Sequence, residues 1–181
     1  KTYHAHPLLR LIFALGGACA LQNDILHWAS DHRRHHQFVD NNEKDPYSAK
    51  RGFWFSHIGW ILRNYKSGEE DLSNVKDLLQ DAIVVFQHNH YLKLVLLTNV
   101  GLPSLLGLIN GNVIGCLLLG GLLRLVLSQH STYLINSAAH IWGRQPYSNS
   151  TSARDNSFLA LLTYGEGYHN YHHTFQWDYP N

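Results

Sequence analysis

The fold is decided by one stretch of sequence: YLKLVLLTNVGLPSLLGLIN (91–110), the turn Asn110-Gly111-Asn112, and VIGCLLLGGLLRLVLS (113–128). Each apolar run approaches the roughly 20 residues that a helix needs to cross a bilayer. The turn between the runs is short and uncharged, so the two helices are expected to pair closely. The sequence therefore predicts a hairpin of two transmembrane helices, 91–110 and 113–132.

Two residues interrupt the apolar runs. Pro103 lies inside the first run and Arg124 inside the second. Proline and an inward-facing arginine are both tolerated in membrane helices, because neighbouring helices satisfy the polar groups that they leave exposed. The alternative is a soluble all-helical protein that has this hairpin as its core.

The segments that flank the hairpin also show helical patterns. Residues 7–21 (PLLRLIFALGGACAL) are short for a span and contain Arg10, which favours a buried or interfacial helix. Residues 66–81 (KSGEEDLSNVKDLLQD) carry an apolar stripe among charges, which predicts an amphipathic helix. The predicted fold class is all-α: a membrane helical hairpin that carries a helical cap.

The hairpin also predicts the topology of the chain. Two crossings return the chain to the side that it left, so residues before 90 and after 130 are expected on one face of the membrane. That face carries nearly all the Lys and Arg residues, and the positive-inside tendency makes it the cytoplasmic face. We therefore expect an integral membrane protein whose polar part is cytosolic.

Histidine is the unusual residue in the composition, since the chain has 14 of them, as many as Lys and Arg together. It is the commonest metal-ligating side chain, so this excess indicates a metal site. The formal net charge of +1 gives no indication of a nucleic-acid partner. Cys19 and Cys116 form no C-x-x-C pair, so neither a disulfide framework nor a thiolate zinc site is expected.

Half of the histidines fall into three motifs outside the apolar runs. An H-x-x-H-H box occupies 32–36, a second occupies 169–173, and N-x-x-x-H occupies 136–140. Residues at i, i+3 and i+4 share a helix face, so each box is expected to aim three imidazoles at one point. The alternative for the first box alone is a basic, solvated surface patch.

Together the motifs supply seven histidines, which is too many for one ion, since a catalytic zinc takes about three protein ligands. The count predicts two metal ions. The complete prediction for the all-α fold is therefore a membrane helical hairpin carrying a cytosolic helical cap with a histidine-rich dinuclear metal site. Imidazole suits zinc, copper, iron and nickel, so the ligand type leaves the metal open. The candidate ligands are His32, His35, His36, His140, His169, His172 and His173.

Carboxylates near the boxes are candidates to orient the imidazoles by accepting their second N–H. Asp31 adjoins the first box, and Glu166 lies three residues before the second. Helix capping is the alternative role for Asp31. Five histidines outside the boxes are expected to be packing or surface residues: His27, His57, His88, His90 and His130.

Further blocks accompany these motifs along the chain. They are Gln22-Asn23-Asp24, Trp28, Asp31 with HRRHH, RGFWFSH (51–57), NSAAH (136–140) and GEGYHNYHH (165–173). In this order, and over essentially the whole chain, they resemble the stearoyl-CoA (delta-9) desaturase family, membrane enzymes of the histidine-box di-iron type. NSAAH followed by GEGYHNYHH is the most specific part of the resemblance.

By this resemblance, the seven histidines ligate two iron ions (Fe2+), and Asn136 reaches one ion through water. The family also has an earlier H-x-x-x-x-H box and an earlier membrane hairpin, which precede a segment like Lys1-Thr2-Tyr3-His4. Neither is present in this sequence. We therefore expect an N-terminally shortened single desaturase domain (1–181) with an incomplete metal site.

The resemblance implies O2-dependent desaturation of a saturated fatty acyl thioester, with a cis double bond inserted at the delta-9 position. The acyl group is carried by coenzyme A, with a carrier protein or a lipid as alternatives. Two electrons come from a donor of the ferredoxin or cytochrome b5 type. Removal of hydrogen from an unactivated methylene needs cofactor chemistry, since no protein side chain supplies it.

The resemblance also implies substrate contacts. Family residues that match Trp28 and Thr132 line the bend of an acyl tunnel, and those that match Gln22 and Asn23 lie near the acyl carbonyl. Core packing is the alternative for Trp28. The basic residues Lys50, Arg51, Arg63 and Lys66 are candidates for a coenzyme A phosphate, with membrane lipid headgroups as the alternative partner.

Two other functional classes stay open. A membrane histidine-box hydroxylase of the alkane, carotenoid or sterol type shares the metal chemistry but returns oxygen to the substrate. A non-enzymatic membrane protein that stores or transports metal would place histidines or carboxylates within its spans. Residues 91–128 contain neither, which disfavours the second class.

Overall fold

The structure is a computed structural model that describes residues 5–62 and 71–178. Its α-helices are α1 (Pro7–Ala20), α2 (Ile25–Phe38), α3 (Trp60–Leu62), α4 (Lys76–Leu79), α5 (Ala82–Asn89), α6 (Tyr91–Asn110), α7 (Val113–Ile141), α8 (Ser157–Leu162) and α9 (His169–Thr174). Short 3-10 turns occupy Ala49–Arg51 and Ser73–Val75, and a π-helical turn occupies Phe55–Gly59. The described ranges contain no β-strand, only isolated bridges from Asp155 to Arg144 and to Tyr168. The all-α prediction is confirmed.

Helices α6 and α7 are both long and apolar enough to cross a membrane, as the sequence predicted. Their apolar side chains near the connecting turn lie on the protein surface: Leu108 is 71% exposed, Ile109 72% and Ile114 73%. Exposure of this kind is expected of side chains that contact lipid.

The connection between α6 and α7 is a tight turn. Gly111 ends α6 with a left-handed conformation (φ 72°), which glycine adopts without steric cost. The Asn112 side chain then caps α7 by accepting a hydrogen bond from the Gly115 N–H at 2.8 Å. A Cβ on Gly107 would lie 2.4 Å from the Val113 Cα atom, so only glycine allows the helices to approach this closely.

Arg124 of α7 is satisfied by neighbouring helices. Its guanidinium donates to the Cys19 carbonyl at 2.8 Å and to the Asn99 side-chain oxygen of α6. It also donates to the Gly120 carbonyl at 3.1 Å. The arginine within this apolar helix is therefore paired with polar groups, as an inward-facing arginine requires.

The chain divides into two compact units. The hairpin unit comprises Ala5–Ser30 and Glu70–Gln129, and the histidine unit comprises Lys1–His4, Asp31–Glu69 and His130–Asn181. In the hairpin unit, one small core consists of Leu26, Val75, Leu78 and Val84, and a second consists of Ala18, Leu94 and Val95. The prediction of a single domain over 1–181 stays a prediction.

The histidine unit has a small apolar core under its last helices. Ala138, Ala139 and Leu159 form it, with Phe53 and Leu134 packed against them. A Cβ on Gly167 would lie 2.2 Å from the Ala160 backbone nitrogen, so the chain immediately before α9 passes directly against α8. This contact fixes the position at which α9 begins.

The amphipathic helix expected over 66–81 is not continuous. Residues 66–70 lie outside the described residues, and the remainder forms the Ser73–Val75 turn and the short α4. The Asp81 side chain caps the separate helix α5 by accepting from the Ile83 N–H at 3.2 Å. Side-chain bonds to the backbone compete with helix formation, which explains the break.

Candidate metal centre

The two H-x-x-H-H boxes both lie on helices. His32, His35 and His36 are in α2, and the second box forms most of α9. His140 lies near the end of α7. The histidine unit brings all seven of these imidazoles together, in two groups.

The first group, called the four-histidine group, consists of His35, His140, His169 and His173. All four side chains are buried. Their Nε2 atoms face one another: His35 to His173 at 3.3 Å, His173 to His169 at 3.1 Å, and His169 to His140 at 3.1 Å.

The second group, called the three-histidine group, consists of His32, His36 and His172. These residues are partly exposed. The His36 Nε2 atom lies 3.1 Å from that of His32 and 2.9 Å from that of His172.

The expectation that each box aims at one point is wrong, because each box is divided between the groups. Consecutive helical residues are about 100° apart around the axis, so His35 and His36 face different directions. The i, i+4 pairs stay together: His32 with His36, and His169 with His173. The remaining member of each box, His35 or His172, joins the pair from the other box.

The spacing of the nitrogens fits metal binding. Nitrogen ligands about 2.0–2.1 Å from one ion lie about 2.9–3.4 Å apart for angles between octahedral and tetrahedral values. The observed separations of 2.9–3.3 Å fall in this range. Two neutral imidazoles this close cannot both point an N–H at the other. Two nitrogen lone pairs directed at one ion are compatible with the observed separation. The residues present therefore fit two ions, and imidazole suits iron as it suits zinc, copper and nickel.

Burial favours the neutral form of five of these imidazoles. Burial lowers the pKa of His36 to about 3 and that of His172 to about 4, with neighbouring imidazoles adding to the effect. The same two causes hold the pKa values of His32, His169 and His173 well below the ordinary histidine value. The neutral ring is the form that ligates metal.

A buried carboxylate orients His35. Asp45 is 1% exposed, and its Oδ1 atom accepts a hydrogen bond from the His35 Nδ1–H at 2.9 Å. The backbone N–H groups of Tyr47 and Asp40 also donate to this carboxylate, at 3.2 and 3.1 Å. The proton on Nδ1 leaves the Nε2 lone pair of His35 directed into the four-histidine group.

A second chain of contacts orients His140. Its Nδ1 lies 2.8 Å from the Ser152 hydroxyl, which in turn donates to Asp40. The Ser152 N–H also donates to Asp40, at 2.8 Å. Because the hydroxyl proton is given to Asp40, the Ser152 oxygen accepts the Nδ1 proton of His140.

The start of α9 is held by Asp155 and Asn170. Asp155 Oδ1 accepts from the N–H groups of Asn170 and Tyr171 at 2.7 and 3.2 Å, which satisfies donors that a helix start leaves open. The fully buried Asn170 side chain donates to the Ala153 carbonyl at 2.9 Å. The sequence analysis did not single out these two polar residues. The only signal was the position of Asn170 inside the second box.

The predicted orienting residues are placed differently. Asp31 accepts a hydrogen bond from Arg34 at 3.1 Å, and Glu166 is exposed in the turn before α9. Asn136 is partly buried in α7, one turn before His140. The roles assigned to these three residues stay predictions.

The predicted substrate residues are distributed over both units. Gln22 and Asn23 precede α2, Trp28 is 47% exposed on α2, and Thr132 is partly buried in α7. The Arg51 guanidinium stacks over the Phe55 ring at 3.7 Å. Arg63, like Lys66, lies outside the described residues, and the substrate roles stay predictions.

His57 belongs to neither histidine group. It is buried, and its Nδ1 donates to the Ser137 hydroxyl at 3.0 Å, since that hydroxyl itself donates to the Tyr133 carbonyl. Its Nε2 lies 3.0 Å from Nδ1 of His130. The expected packing role is consistent with these contacts, which fix the helical turn that leads to His140.

Fold and site together define a class: a helical protein with two membrane-capable helices and a histidine cluster that can hold metal. The comparison with known families makes the assignment specific. The family model described as fatty acid desaturase matches residues 2–178, and the chain belongs to this family. The resemblance stated from the motifs is thereby confirmed.

Relatives of known name agree with this assignment. The chain is 41% identical to a probable acyl-CoA desaturase of Schizosaccharomyces pombe over 182 residues. It is 42% identical to an acyl-CoA Delta12-desaturase of Acheta domesticus over 187 residues, and 41% identical to a Delta(9)-fatty-acid desaturase of Caenorhabditis elegans over 187 residues. The alignments cover 99–100% of this chain but only 38%, 51% and 54% of the respective relatives.

Proposed function

We propose that the protein is an O2-dependent acyl-CoA desaturase that inserts a cis double bond at the delta-9 position of a saturated acyl chain. The observation that carries the proposal is the pair of histidine groups, whose nitrogen separations suit one metal ion each. Membership of the desaturase family supports the reaction class.

Two iron ions, when bound, would supply the oxygen chemistry that removes hydrogen from an unactivated methylene. The four-histidine and three-histidine groups would hold one ion each, with Asn136 reaching an ion through water. Burial favours the neutral form of five of the ligands: His32, His36, His169, His172 and His173. Asp45 and Ser152 fix the tautomers of His35 and His140, so that their Nε2 lone pairs face the group.

The acyl chain must be positioned by geometry, because neighbouring methylenes are chemically alike. In this proposal Trp28 and Thr132 line the bend of the acyl chain, and Gln22 and Asn23 lie near its carbonyl. Arg51 and Arg63 bind a coenzyme A phosphate. The relatives named above include both a Delta12 and a Delta(9) enzyme at similar identity, so the delta-9 position rests on the motif resemblance.

The electron donor in this proposal is of the ferredoxin or cytochrome b5 type, and the surrounding partner is membrane lipid. The hairpin is expected to place the metal centre on the cytoplasmic face. The variants Asn110→Cys and Ser148→Cys should react with a membrane-impermeant thiol reagent from opposite sides of sealed vesicles. Labelling of both from one side would exclude this topology.

The function is tested by expressing the full-length protein that contains this chain with a reductase system and analysing the cellular fatty acids. We expect new cis monoenes with the wild type and none with His172→Gln. The matched control is His90→Gln, a histidine that belongs to neither group. An alcohol product would instead identify a hydroxylase, and iron-loaded protein that forms no monoene would refute the proposal.

A further inference from the structure

A third set of metal-ligand side chains, called the Asp-His-His group, lies in the hairpin unit. It consists of Asp24, His27 and His88. Asp24 precedes α2, His27 lies in the first turn of α2, and His88 lies in the last turn of α5. One oxygen and two ring nitrogens of these residues all lie within 4.8 Å of one another. The group shares no residue with either histidine group.

Asp24 faces both imidazoles. The residue is 7% exposed; its Oδ2 lies 2.5 Å from Nδ1 of His27, and its Oδ1 lies 3.0 Å from Nδ1 of His88. The His88 Nδ1 atom is buried beside this carboxylate oxygen.

We propose that Asp24, His27 and His88 bind a divalent first-row transition ion such as Zn2+. One carboxylate and two imidazoles form a ligand set that such ions accept, with water completing the coordination. The Asp24 carboxylate is buried, and an ionised group removed from water needs a partner of opposite charge. Its burial therefore favours a bound cation.

The ion has a structural role, since its ligands come from two helices. His27 belongs to α2 and His88 to α5, so one ion would join the beginning of α2 to the end of α5. The same helix ends are already linked by the Ile25 N–H, which donates to the buried Gln87 side chain at 3.0 Å. The ion would strengthen this link, and because only the folded protein brings its ligands together, metal binding would stabilise the folded state.

Asp24 has a second role that the test must separate. Its Oδ1 accepts from the N–H groups of Leu26 and His27, at 3.0 and 3.3 Å, and so caps α2. Asparagine caps helices about as well as aspartate, so Asp24→Asn keeps the cap while it removes the charge. A role in capping alone predicts no effect of this variant on metal content.

The experiment uses the purified, iron-loaded protein in detergent, dialysed against Zn2+, with iron and zinc counted by mass spectrometry. We expect the wild type to hold one more ion per chain than Asp24→Asn or His88→Gln. His90→Gln, which changes a histidine two residues from His88, should hold as many ions as the wild type. Equal metal content in the wild type and both site variants would overturn the proposal.

A second measurement uses only the wild type, so it does not depend on the folding of variants. Zn2+ should slow amide hydrogen exchange in the first turn of α2 and the last turn of α5. No change in exchange at both helix ends would also overturn the proposal. Neither measurement involves desaturation, so this inference and the proposed function fail independently.

Discussion

At the scale of single residues, Asp45 is the side chain that sets the direction of a ligand. We predict that Asp45→Asn lowers metal affinity by about 10–100-fold, the usual cost of losing an orienting partner of a ligating histidine. The amide keeps the volume but removes the charge that holds the His35 proton on Nδ1. Metal retention against a graded chelator measures the effect.

Asp31→Asn is the matched control for this substitution. Asp31 lies in α2 one residue before the first box, and it accepts a hydrogen bond from Arg34. We expect Asp31→Asn to retain metal nearly as well as the wild type. Equal losses in the two variants would show that general charge, and not the contact with His35, supports binding.

The same pair of residues shows what sequence reasoning reaches at this scale. Proximity along the chain singled out Asp31, whereas Asp45 contacts His35 from ten residues away. The turn that brings it there includes Asp40 in a left-handed conformation, φ 67°. The spacing of the histidines identified the candidate ligands. The residues that orient them depend on the path of a loop, which sequence periodicity does not predict.

The pKa values predict a pH dependence for the metal-free protein. Imidazoles in the unfolded chain titrate near pH 6.5, about the reference value, whereas burial lowers the pKa of His36 to about 3 and that of His172 to about 4. Below pH 6.5 the unfolded chain therefore binds more protons, so stability is greatest above this pH and declines towards pH 4.

Thermal unfolding of chelator-treated protein in detergent, at several pH values between 7.5 and 4.5, measures this decline. The double variant His36→Gln/His172→Gln should show a shallower dependence, because the two groups that resist protonation are gone. An unfolding temperature of the wild type that stays constant over this interval would contradict the prediction.

At the scale of elements, the close approach of α6 and α7 depends on Gly107. We predict that Gly107→Ala destabilises the protein by about 1–3 kcal/mol, the usual cost of forcing extra atoms into a packed contact. The new Cβ would meet the Val113 backbone, which cannot move aside as a flexible side chain can. The measurement is the thermal unfolding temperature in detergent.

Gly120→Ala is the control, since a Cβ at Gly120 would meet no atom within 4 Å. Both changes replace glycine by alanine within an apolar helix, so the change in helix propensity is the same. Only the contacts of the new Cβ atom differ. A loss at Gly120 as large as that at Gly107 would show that the hairpin does not depend on this approach.

Elements were predictable where one physical signal dominated. The two membrane-capable helices are long apolar runs separated by a Gly-containing turn, and the structure confirms them. Over 66–81 the apolar stripe predicted one helix, but the bonds that Asp71 and Asp81 make to the N–H groups of Ser73 and Ile83 favour short, separate turns. Periodicity does not contain this local competition.

At the scale of the whole molecule, the sequence predicted that seven histidines form a site for two ions, but it gathered the three imidazoles of each box at one point. The histidines of the four-histidine group lie as far apart along the chain as His35 and His173. Which of them face one another depends on how α2, α7 and α9 pack in the histidine unit. The family assignment was reachable because the box sequences are specific, whereas the pairing required coordinates.

The division of each box has a further consequence for how metal ions would be acquired under the proposed function. Each histidine group draws on both α2 and α9, so an ion bound in one group would align the helices that form the other. Loading should therefore be all-or-none. Native mass spectrometry during iron titration should show mainly chains with zero or two ions at these positions, and His172→Gln should lower occupancy of both. A dominant one-ion species would contradict this prediction. It would mean that the two groups bind their ions independently, although they share helices.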